Sequence, residues 1–354
     1  MSTANKTLII LSPGFPANEA DSTCLPFPQL FVRTLKKENP SLDIIVLAFQ
    51  YPFVASAYKW HGVHVIPFNG RNKGMINRLL VWRKVWRKLK TIIKGNENNI
   101  LGILNFWLGE CALIGKYAAK KYQVKNLTWL LGQDARKNNR YFNRIKPSSS
   151  LLIALSDFIA AEFYKNYKIR PAHIIPPGID TGSFPSDANS RDIDIMGAGS
   201  LIALKQYDIF VKVVAELARN KPGIKAFICG KGPEKERLQQ LIDDNNLSQQ
   251  IILYGEFDHF SVLNLMKRSV IFLHPSSYEG FATVISEALY SGAHVVSFCK
   301  PMNTQFKNHH VVASETEMIE TVSKILNDTN RDHDPVITYP IEETCRKVLL
   351  LYES

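Results

Sequence analysis

Two successive series of short apolar runs, separated by segments of helical periodicity, constrain the fold of this 354-residue chain more than any other feature. In the first half, the apolar runs predict strands at residues 7–11, 43–49, 64–67, 100–106, 127–131 and 151–155. Helical periodicity covers residues 78–94, 110–122 and 156–167. Strands that alternate with helices predict a parallel sheet covered by helices.

The alternation stops at Ile175-Pro176-Pro177-Gly178-Ile179-Asp180 and then starts again. Further strands are predicted at 193–197, 225–229, 251–254, 270–273 and 294–298, and helices at 205–219, 233–243, 282–290 and 315–326. Because two prolines and a glycine favour a domain boundary, we predict an α/β protein with two doubly wound, Rossmann-like domains, 1–177 and 178–339. A last helix, 340–354, can pack back on the first domain.

The charge distribution favours anionic partners. The 43 Lys and Arg residues exceed the 32 Asp and Glu residues, which gives a net charge of +11. No acidic residue lies between Asp43 and Glu97, whereas this interval contains ten basic residues: Lys59, Arg71, Lys73, Arg78, Arg83, Lys84, Arg87, Lys88, Lys90 and Lys94.

The predicted helix 78–94 is amphipathic and basic. Apolar residues at positions 79, 82, 86, 89 and 93 form one side, and Arg83, Arg87, Lys90 and Lys94 form the opposite stripe. A basic face flanked by tryptophan is typical of helices that bind anionic membrane surfaces. The alternative is an ordinary domain helix with Trp82 and Trp86 in the core. Because both tryptophans share the apolar side, nucleic acid is not an expected partner.

Several classes of protein are not expected. No apolar run reaches the ~18 residues of a membrane-spanning helix, and the five scattered cysteines are typical of a reduced cytoplasmic protein. His61, His64, His309 and His310 lack the accompanying carboxylates or cysteines of a metal site. No Gly-x-Ser-x-Gly or P-loop motif is present.

Gly197-Ala198-Gly199-Ser200 follows a predicted strand, as a dinucleotide-binding turn does. A dehydrogenase is disfavoured because Ile202 occupies the position of the third glycine. The turn alone is also compatible with a structural role. Lys205 lies near the start of the following helix, where a cation opposes the helix dipole, and this position favours a bound anion.

Residues 273–289 form the most informative segment, in which a predicted strand leads through a Ser/Gly loop into a helix. Glu279 lies in the loop and Glu287 in the helix, so the two carboxylates can accept hydrogen bonds from different hydroxyls of one ligand. The amides of Phe281, Ala282 and Thr283 can bind a diphosphate. The alternative is a pair of solvated glutamates near a helix start.

The segment Glu279-Gly-Phe-Ala-Thr-Val-Ile-Ser-Glu287 resembles the E-x7-E signature of the retaining, nucleotide-sugar-dependent glycosyltransferases of family four. Four further segments resemble motifs of this family in the same order: 175–180, 199–205, 227–234 and 254–257. The resemblance implies the GT-B fold, in which two Rossmann-like domains face each other across a cleft.

The resemblance also implies roles for individual residues. Lys205 would bind the donor diphosphate, Glu287 the ribose and Glu279 the transferred sugar. The implied donor site comprises Gly14, Gly199, Ser200, Lys205, Gly230, Phe257, Glu279, Gly280, Phe281, Ala282, Thr283 and Glu287. Neither a metal nor a cofactor is expected, since we interpret Asp192-Ile-Asp194 as a chance match to a metal-binding DxD motif.

The chain departs from the family pattern at three places. Ser200 replaces the usual arginine, and the loop after the first strand lacks the usual glycine doublet. On the acceptor side, Gln133 and Asp134 lie where many members have His-Gly-x-Asp, and Trp107 lies where others have histidine. The implied acceptor residues are Trp107, Glu110, Gln133 and Asp134, and the implied catalytic residues are Lys205, Glu279 and Asp134.

The sequence therefore predicts a retaining, metal-independent hexosyltransferase. It would move a sugar from a nucleoside diphosphate to a hydroxyl of a saccharide or lipid-linked saccharide during cell-surface polysaccharide synthesis. We expect it in the cytoplasm, at the inner face of the membrane. The alternative is a degenerate, non-catalytic protein that binds anionic membrane or polymer through the basic helix. The sequence does not identify the transferred sugar or the nucleotide base of the donor.

Overall fold

The chain forms two compact units in the computed structural model, which describes residues 5–54, 56–186 and 190–353. The N-terminal unit extends to Gly178 and also includes the last helix, from Ile341, whereas the C-terminal unit spans Ile179–Pro340. The boundaries predicted from the sequence, 177/178 and 339/340, each lie one residue before the observed ones. No helix within the described ranges has the length and apolar character that a membrane span requires.

The N-terminal unit contains an eight-stranded sheet. Its strands are β1 (Thr7–Gly14), β2 (Asp43–Tyr51), β3 (Tyr58–Trp60), β4 (Val63–Pro67), β5 (Ile100–Phe106), β6 (Asn126–Leu130), β7 (Leu152–Ala154) and β8 (His173–Ile174). The strand order is β3-β4-β2-β1-β5-β6-β7-β8, and only β3 is antiparallel to its neighbour. The order reverses between β1 and β5, which makes this point the natural crevice of the sheet.

Helices cover this sheet. They are α1 (Pro26–Glu38), α2 (Met75–Gly95), α3 (Glu110–Tyr122), α4 (Phe142–Ile145) and α5 (Asp157–Tyr167), with α11 (Ile341–Glu353) from the C-terminal end of the chain. Sequence analysis did not identify α1, since prolines at its start obscure the helical pattern. It also missed β3. Ser156 caps α5, because its hydroxyl accepts a hydrogen bond from the amide of Ile159 at 3.1 Å.

Helix α11 belongs to the N-terminal unit, in agreement with the prediction that the last helix can pack back on the first domain. The Tyr352 hydroxyl donates to the Ile103 carbonyl at 2.8 Å, and the Thr344 hydroxyl donates to the Pro176 carbonyl at 2.9 Å. A Cβ atom on Gly102 would lie only 2.3 Å from the Tyr352 ring. The glycine in β5 therefore makes room for the last turn of the chain.

The apolar face of α2 differs from the predicted one. The buried residues are Val81, Val85, Leu89, Ile92 and Ile93. The predicted face, 79, 82, 86, 89 and 93, was therefore wrong at Leu79, which is 53% exposed, whereas Trp82 and Trp86 are half-buried and pack against this core. At the edge of this core, the Glu110 carboxylate accepts a hydrogen bond from the Trp82 indole at 2.7 Å.

The C-terminal unit contains a six-stranded parallel sheet. Its strands are β9 (Ile193–Ala198), β10 (Ala226–Cys229), β11 (Ile251–Gly255), β12 (Ser269–His274), β13 (His294–Ser297) and β14 (His309–Val311). The helices are α6 (Tyr207–Ala218), α7 (Lys235–Asp244), α8 (His259–Lys267), α9 (Thr283–Tyr290) and α10 (Glu315–Asn327). The order β11-β10-β9-β12-β13-β14 reverses between β9 and β12. Loops after these two strands consequently lie side by side, where open α/β sheets bind ligands.

Candidate active site

Hydrogen bonds connect the loop that follows β9 to the loop that follows β12. The carbonyl oxygen of Leu204 accepts hydrogen bonds from the Ser276 hydroxyl at 3.2 Å, the Ser277 amide at 3.0 Å and the Ser277 hydroxyl at 3.1 Å. Leu204 lies in a single 3₁₀ turn, Ala203–Lys205. The two serines therefore fix this turn against the loop that contains Glu279.

Lys205 and Glu279, which lie 74 residues apart in sequence, form an ion pair through Nζ and Oε1. The Nε2 atom of His274, the last residue of β12, lies 3.1 Å from the same carboxylate oxygen. All three side chains are largely shielded from solvent, with exposed fractions of 18% for Lys205, 14% for Glu279 and 2% for His274. A cation and an imidazole thus share one carboxylate oxygen.

The surroundings of Glu279 strongly favour its ionised form. Burial alone would raise the pKa of Glu279, but the hydrogen bond with His274 and the charge of Lys205 outweigh it and lower the pKa to about 2. Burial lowers the pKa of His274, and the charge of Lys205 lowers it further, against the opposing effect of Glu279. The resting site therefore contains a cation, an anion and a neutral imidazole.

Two glycines permit close contact between the turns after β9 and β10. Gly199 and Gly230 both have φ of +151°, and a Cβ atom on Gly230 would lie 1.8 Å from the Gly199 carbonyl oxygen. Only glycine fits this combination of backbone angle and contact. Ser200, the residue in place of the family's arginine, is exposed on the same turn.

Helix α9 begins beside Glu279. Phe281 is buried and its ring packs against Tyr339 with a centroid distance of 5.8 Å. Ala282 has φ of +60°, a left-handed conformation that costs a residue with a Cβ about 1–2 kcal/mol. Such strain is characteristic of functional sites. Amides in the first turn of a helix lack intrahelical acceptors and bind anions well, which suits the predicted roles of Gly280, Phe281, Ala282 and Thr283.

Glu287 lies one turn further along α9, and its carboxylate contacts His259. The His259 Nε2 atom is 2.9 Å from Glu287 Oε1. His259 begins α8, directly after the turn that contains Phe257, whose side chain is 40% exposed. The structure thus places the turn that contains Phe257 next to Glu287, the carboxylate predicted to bind the ribose. Sequence analysis missed both His259 and His274, because a lone histidine carries no spacing signal.

In the N-terminal unit, Gly14 and Trp107 lie at the ends of β1 and β5, where the strand order reverses. Trp107 has φ of +64°, a rare conformation for a bulky residue. Its amide donates to the Trp129 carbonyl at 3.0 Å, and its ring is half-buried. Gly14 is buried, and a Cβ atom there would contact Tyr51 at 3.4 Å. The donor-binding role of Gly14 stays a prediction.

Glu110 has both carboxylate oxygens engaged within the N-terminal unit. Its Oε1 accepts from Gln50 Nε2 at 2.6 Å, and its Oε2 accepts from the Trp82 indole and lies 3.5 Å from Arg78 Nε. These contacts connect the start of α3 to β2 and α2. Glu110 therefore anchors the basic helix, whatever its contact with an acceptor.

Asp134, predicted to be catalytic, is buried, and its carboxylate connects two loops. Its Oδ2 accepts a hydrogen bond from the Leu108 amide at 2.8 Å, and its Oδ1 accepts from the amides of Leu131 at 3.1 Å and Gly132 at 3.0 Å. Burial raises the pKa of Asp134 to about 6, although the three amides favour the carboxylate. The neighbouring Gln133 is exposed.

We expect the Asp134→Ala substitution to lower the free energy of unfolding by about 2–5 kcal/mol, because it leaves up to three backbone donors without their acceptor. Urea denaturation of the purified variant measures this loss. Gln133→Ala, at the exposed neighbouring position, should change it by less than about 0.5 kcal/mol. Full stability of Asp134→Ala together with lost activity would instead assign Asp134 a purely catalytic role.

Both carboxylates of the Asp192-Ile-Asp194 motif form ion pairs with basic side chains of the protein. Arg268 Nε lies 2.8 Å from Asp192 Oδ1, and Lys221 Nζ lies 2.6 Å from Asp194 Oδ1. Within the described residues, no three side chains of the metal-binding types come together as a metal site requires. The motif thus has a structural use in two surface ion pairs.

The sequence of the C-terminal unit matches a known family. Residues 179–337 match the model of the family described as "Glycosyl transferases group 1". Over the whole chain, the fold is similar to a glycosyltransferase from Rickettsia africae, with a TM-score of 0.74 and 17% identity over 99% of this chain and 98% of that one. HepE of Anabaena in complex with UDP and glucose gives a TM-score of 0.67 and 16% identity, over 98% and 95% of the two chains.

Curated relatives match this chain over part of their length and at low sequence identity. The gpi3 subunit of phosphatidylinositol N-acetylglucosaminyltransferase from Schizosaccharomyces pombe is 26% identical over 44% of this chain and 36% of its own length. An N-acetylgalactosamine-N,N'-diacetylbacillosaminyl-diphospho-undecaprenol 4-alpha-N-acetylgalactosaminyltransferase from Campylobacter jejuni is 24% identical over 78% and 70% of the two chains. The chain spans about a third of the length of the phosphatidylinositol N-acetylglucosaminyltransferase subunits it matches.

These similarities define the class of protein. Two parallel-sheet units and the structural neighbours establish the GT-B fold, so the predicted fold class is confirmed. Residues 179–337 match the glycosyl transferases group 1 family, in agreement with the resemblance noted from the sequence. The facing of the two units across a cleft stays a prediction.

Proposed function

We propose that this protein is a retaining glycosyltransferase that moves a sugar from a nucleoside diphosphate to a hydroxyl of a saccharide or lipid-linked saccharide. The observation that carries the proposal is the meeting of Lys205, Glu279 and the start of α9 where the strand order of the C-terminal sheet reverses. This arrangement offers a cation and helix amides to a diphosphate, and carboxylates to sugar hydroxyls.

The donor we propose is a UDP-linked N-acetylhexosamine. The structural neighbour from Anabaena is described in complex with UDP, and both curated relatives are named as transferases of N-acetylated hexosamines. Phe257 supplies an exposed aromatic ring for the base, beside Glu287 for the ribose. Lys205 would neutralise the leaving diphosphate, so the proposal needs no metal.

The proposed reaction exchanges two bonds at the anomeric carbon of the sugar. The bond from this carbon to the β-phosphate oxygen breaks, and the acceptor oxygen bonds to the same face of the ring. The acceptor proton passes to the departing phosphate oxygen. The products are the glycosylated acceptor and UDP, and no protein nucleophile is required.

The acceptor we propose is presented at an anionic membrane surface, as in the assembly of a cell-surface polysaccharide. The exposed side of α2 begins with apolar residues, since Met75, Ile76, Leu79 and Leu80 are each more than half exposed. It continues with exposed cations: Arg83, Lys84, Arg87, Lys88, Lys90 and Lys94. An apolar tip that continues into a basic stripe suits shallow insertion among anionic headgroups on the cytoplasmic face.

Calorimetric titration with UDP-N-acetylglucosamine, UDP-glucose, GDP-mannose and ADP-glucose tests the proposed donor. We expect UDP and its sugars to bind and the ADP and GDP compounds to bind at least tenfold more weakly. Slow release of UDP in the presence of UDP-N-acetylglucosamine alone would report hydrolysis. If no nucleotide binds, the proposed reaction is wrong, and the non-catalytic, membrane-binding alternative becomes the better explanation of the basic helix.

A further inference from the structure

His274 has a place in the candidate site that the roles described above do not explain. It ends β12, is almost fully buried, and contacts the same Glu279 oxygen, Oε1, that pairs with Lys205. The contacts with Lys205 and His274 both use Oε1, so they hold Glu279 through this one oxygen, and Oε2 is the oxygen that it would offer to a ligand.

The hydrogen bond fixes the protonation of the imidazole. Burial and the charge of Lys205 both favour neutral His274. A neutral imidazole can donate from only one nitrogen, and a carboxylate can only accept, so the proton must lie on Nε2. Two further groups interact with this cluster and are also neutral, since burial lowers the pKa of His309 to about 4 and raises that of Cys299 to about 12.

If the proposed function holds, donor binding changes the partner of Lys205. A diphosphate brings negative charge to the ammonium group, which must then turn wholly or partly away from Glu279. Glu279 would lose its cation and gain an anionic neighbour, and both changes favour its protonation. A protonated Glu279 would be a poorer acceptor for a sugar hydroxyl.

We propose that His274 is a positioning residue, whose Nε2–H holds Glu279 as an oriented anionic acceptor for the sugar while Lys205 binds the diphosphate. The loop between them is short, since only four residues separate His274 from Glu279, and Ser276 and Ser277 anchor it to Leu204. The imidazole is thus attached to the rigid end of β12, whereas Lys205 approaches from a different loop. Glu279 keeps one fixed partner when the other moves.

Kinetics of His274→Phe and His274→Gln test this role. The phenyl ring fills the same space without an N–H group, whereas glutamine keeps an amide donor near the Nε2 position. We expect His274→Phe to lower kcat with UDP-N-acetylglucosamine about 10- to 100-fold, the range for loss of a hydrogen bond to a charged group. The Kd for UDP, which lacks the sugar, should change less than about threefold. His274→Gln should recover kcat to within about fivefold of wild type.

The pH profile separates positioning from simple structural damage. Without His274 the pKa of Glu279 rises, so His274→Phe should lose kcat/KM at a higher pH than wild type on the acid side. Equal activity of wild type and His274→Phe, or equally poor activity of both variants, would overturn the proposal.

A measurement on the ligand-free protein keeps the inference distinct from the proposed function. Nitrogen-15 NMR of the imidazole should show a neutral ring protonated at Nε2 at pH 7, which titrates only below the ordinary histidine pKa. A ring protonated at Nδ1, or one that titrates near pH 6.5, would overturn the inference even if donors bind. If neither UDP nor its sugars bind, the proposed function fails, and the NMR result alone decides the state of His274.

Discussion

The Lys205→Ala substitution should lower kcat for sugar transfer and for donor hydrolysis by about 10²- to 10³-fold. Lys205 is the cation that Glu279 holds at the candidate diphosphate site. Loss of one charge-stabilising group in a closed site costs about 2.7–4 kcal/mol of transition-state stabilisation. The effect should be large here because Ser200 replaces the arginine that the family resemblance places on the same turn, so Lys205 has less support.

Steady-state kinetics with UDP-N-acetylglucosamine measure this effect, and Lys212→Ala provides the control. Lys212 lies on α6 of the same unit and forms an exposed pair with Glu315 at 3.4 Å, so its loss should alter neither rate by more than about twofold. Urea denaturation of Lys205→Ala shows whether the protein stays folded. Unchanged transfer and hydrolysis rates in Lys205→Ala would reject the phosphate-binding role.

The sequence predicted the class of fold because hydrophobic periodicity is local. Each predicted strand is a short apolar run, and each predicted helix has a matching stripe. Besides α1 and β3, the sequence pattern did not predict α4, α8, β8 and β14. The first two misses have local causes. Prolines at positions 26 and 28 hid α1, and the short strand Tyr58–Trp60 carries too few residues for a pattern.

The candidate site was only partly predictable. Motif spacing indicated Lys205, Glu279 and Glu287 individually, but no spacing could show that Lys205 and Glu279 pair with each other before any donor arrives. That pair depends on the side-by-side position of β9 and β12, which is a property of strand order. The same limit applies to Asp134, whose three amide donors come from two separate loops.

Periodicity predicted the apolar side of α2 only in part. The predicted side included Leu79, which is exposed together with Ile76 and Leu80. Trp82, on the same predicted side, packs against the core and donates to the Glu110 carboxylate. The basic stripe therefore has an apolar extension at one end, and this combination is what a membrane-binding helix needs.

Replacing Arg83, Arg87, Lys90 and Lys94 with glutamine should weaken binding to anionic vesicles by about 10²- to 10³-fold. Each Lys or Arg near an anionic surface contributes about 1 kcal/mol, so four together contribute about 4 kcal/mol. All four side chains are exposed on α2 and lie on its solvent side. Co-sedimentation with vesicles of phosphatidylcholine alone, and with added phosphatidylserine, measures the partition.

The matched control removes the same charge from the C-terminal unit, by changing Arg219, Lys225, Lys235 and Lys300, all exposed, to glutamine. This variant should bind anionic vesicles within about threefold of wild type, because position on the apolar-tipped helix matters and net charge alone does not. Raising the salt should weaken wild-type binding, since exposed charges are screened beyond about 8 Å at physiological ionic strength. Equal sedimentation of wild type and the α2 variant, or no wild-type binding at low salt, would reject the membrane surface as a partner and favour an acceptor free in solution.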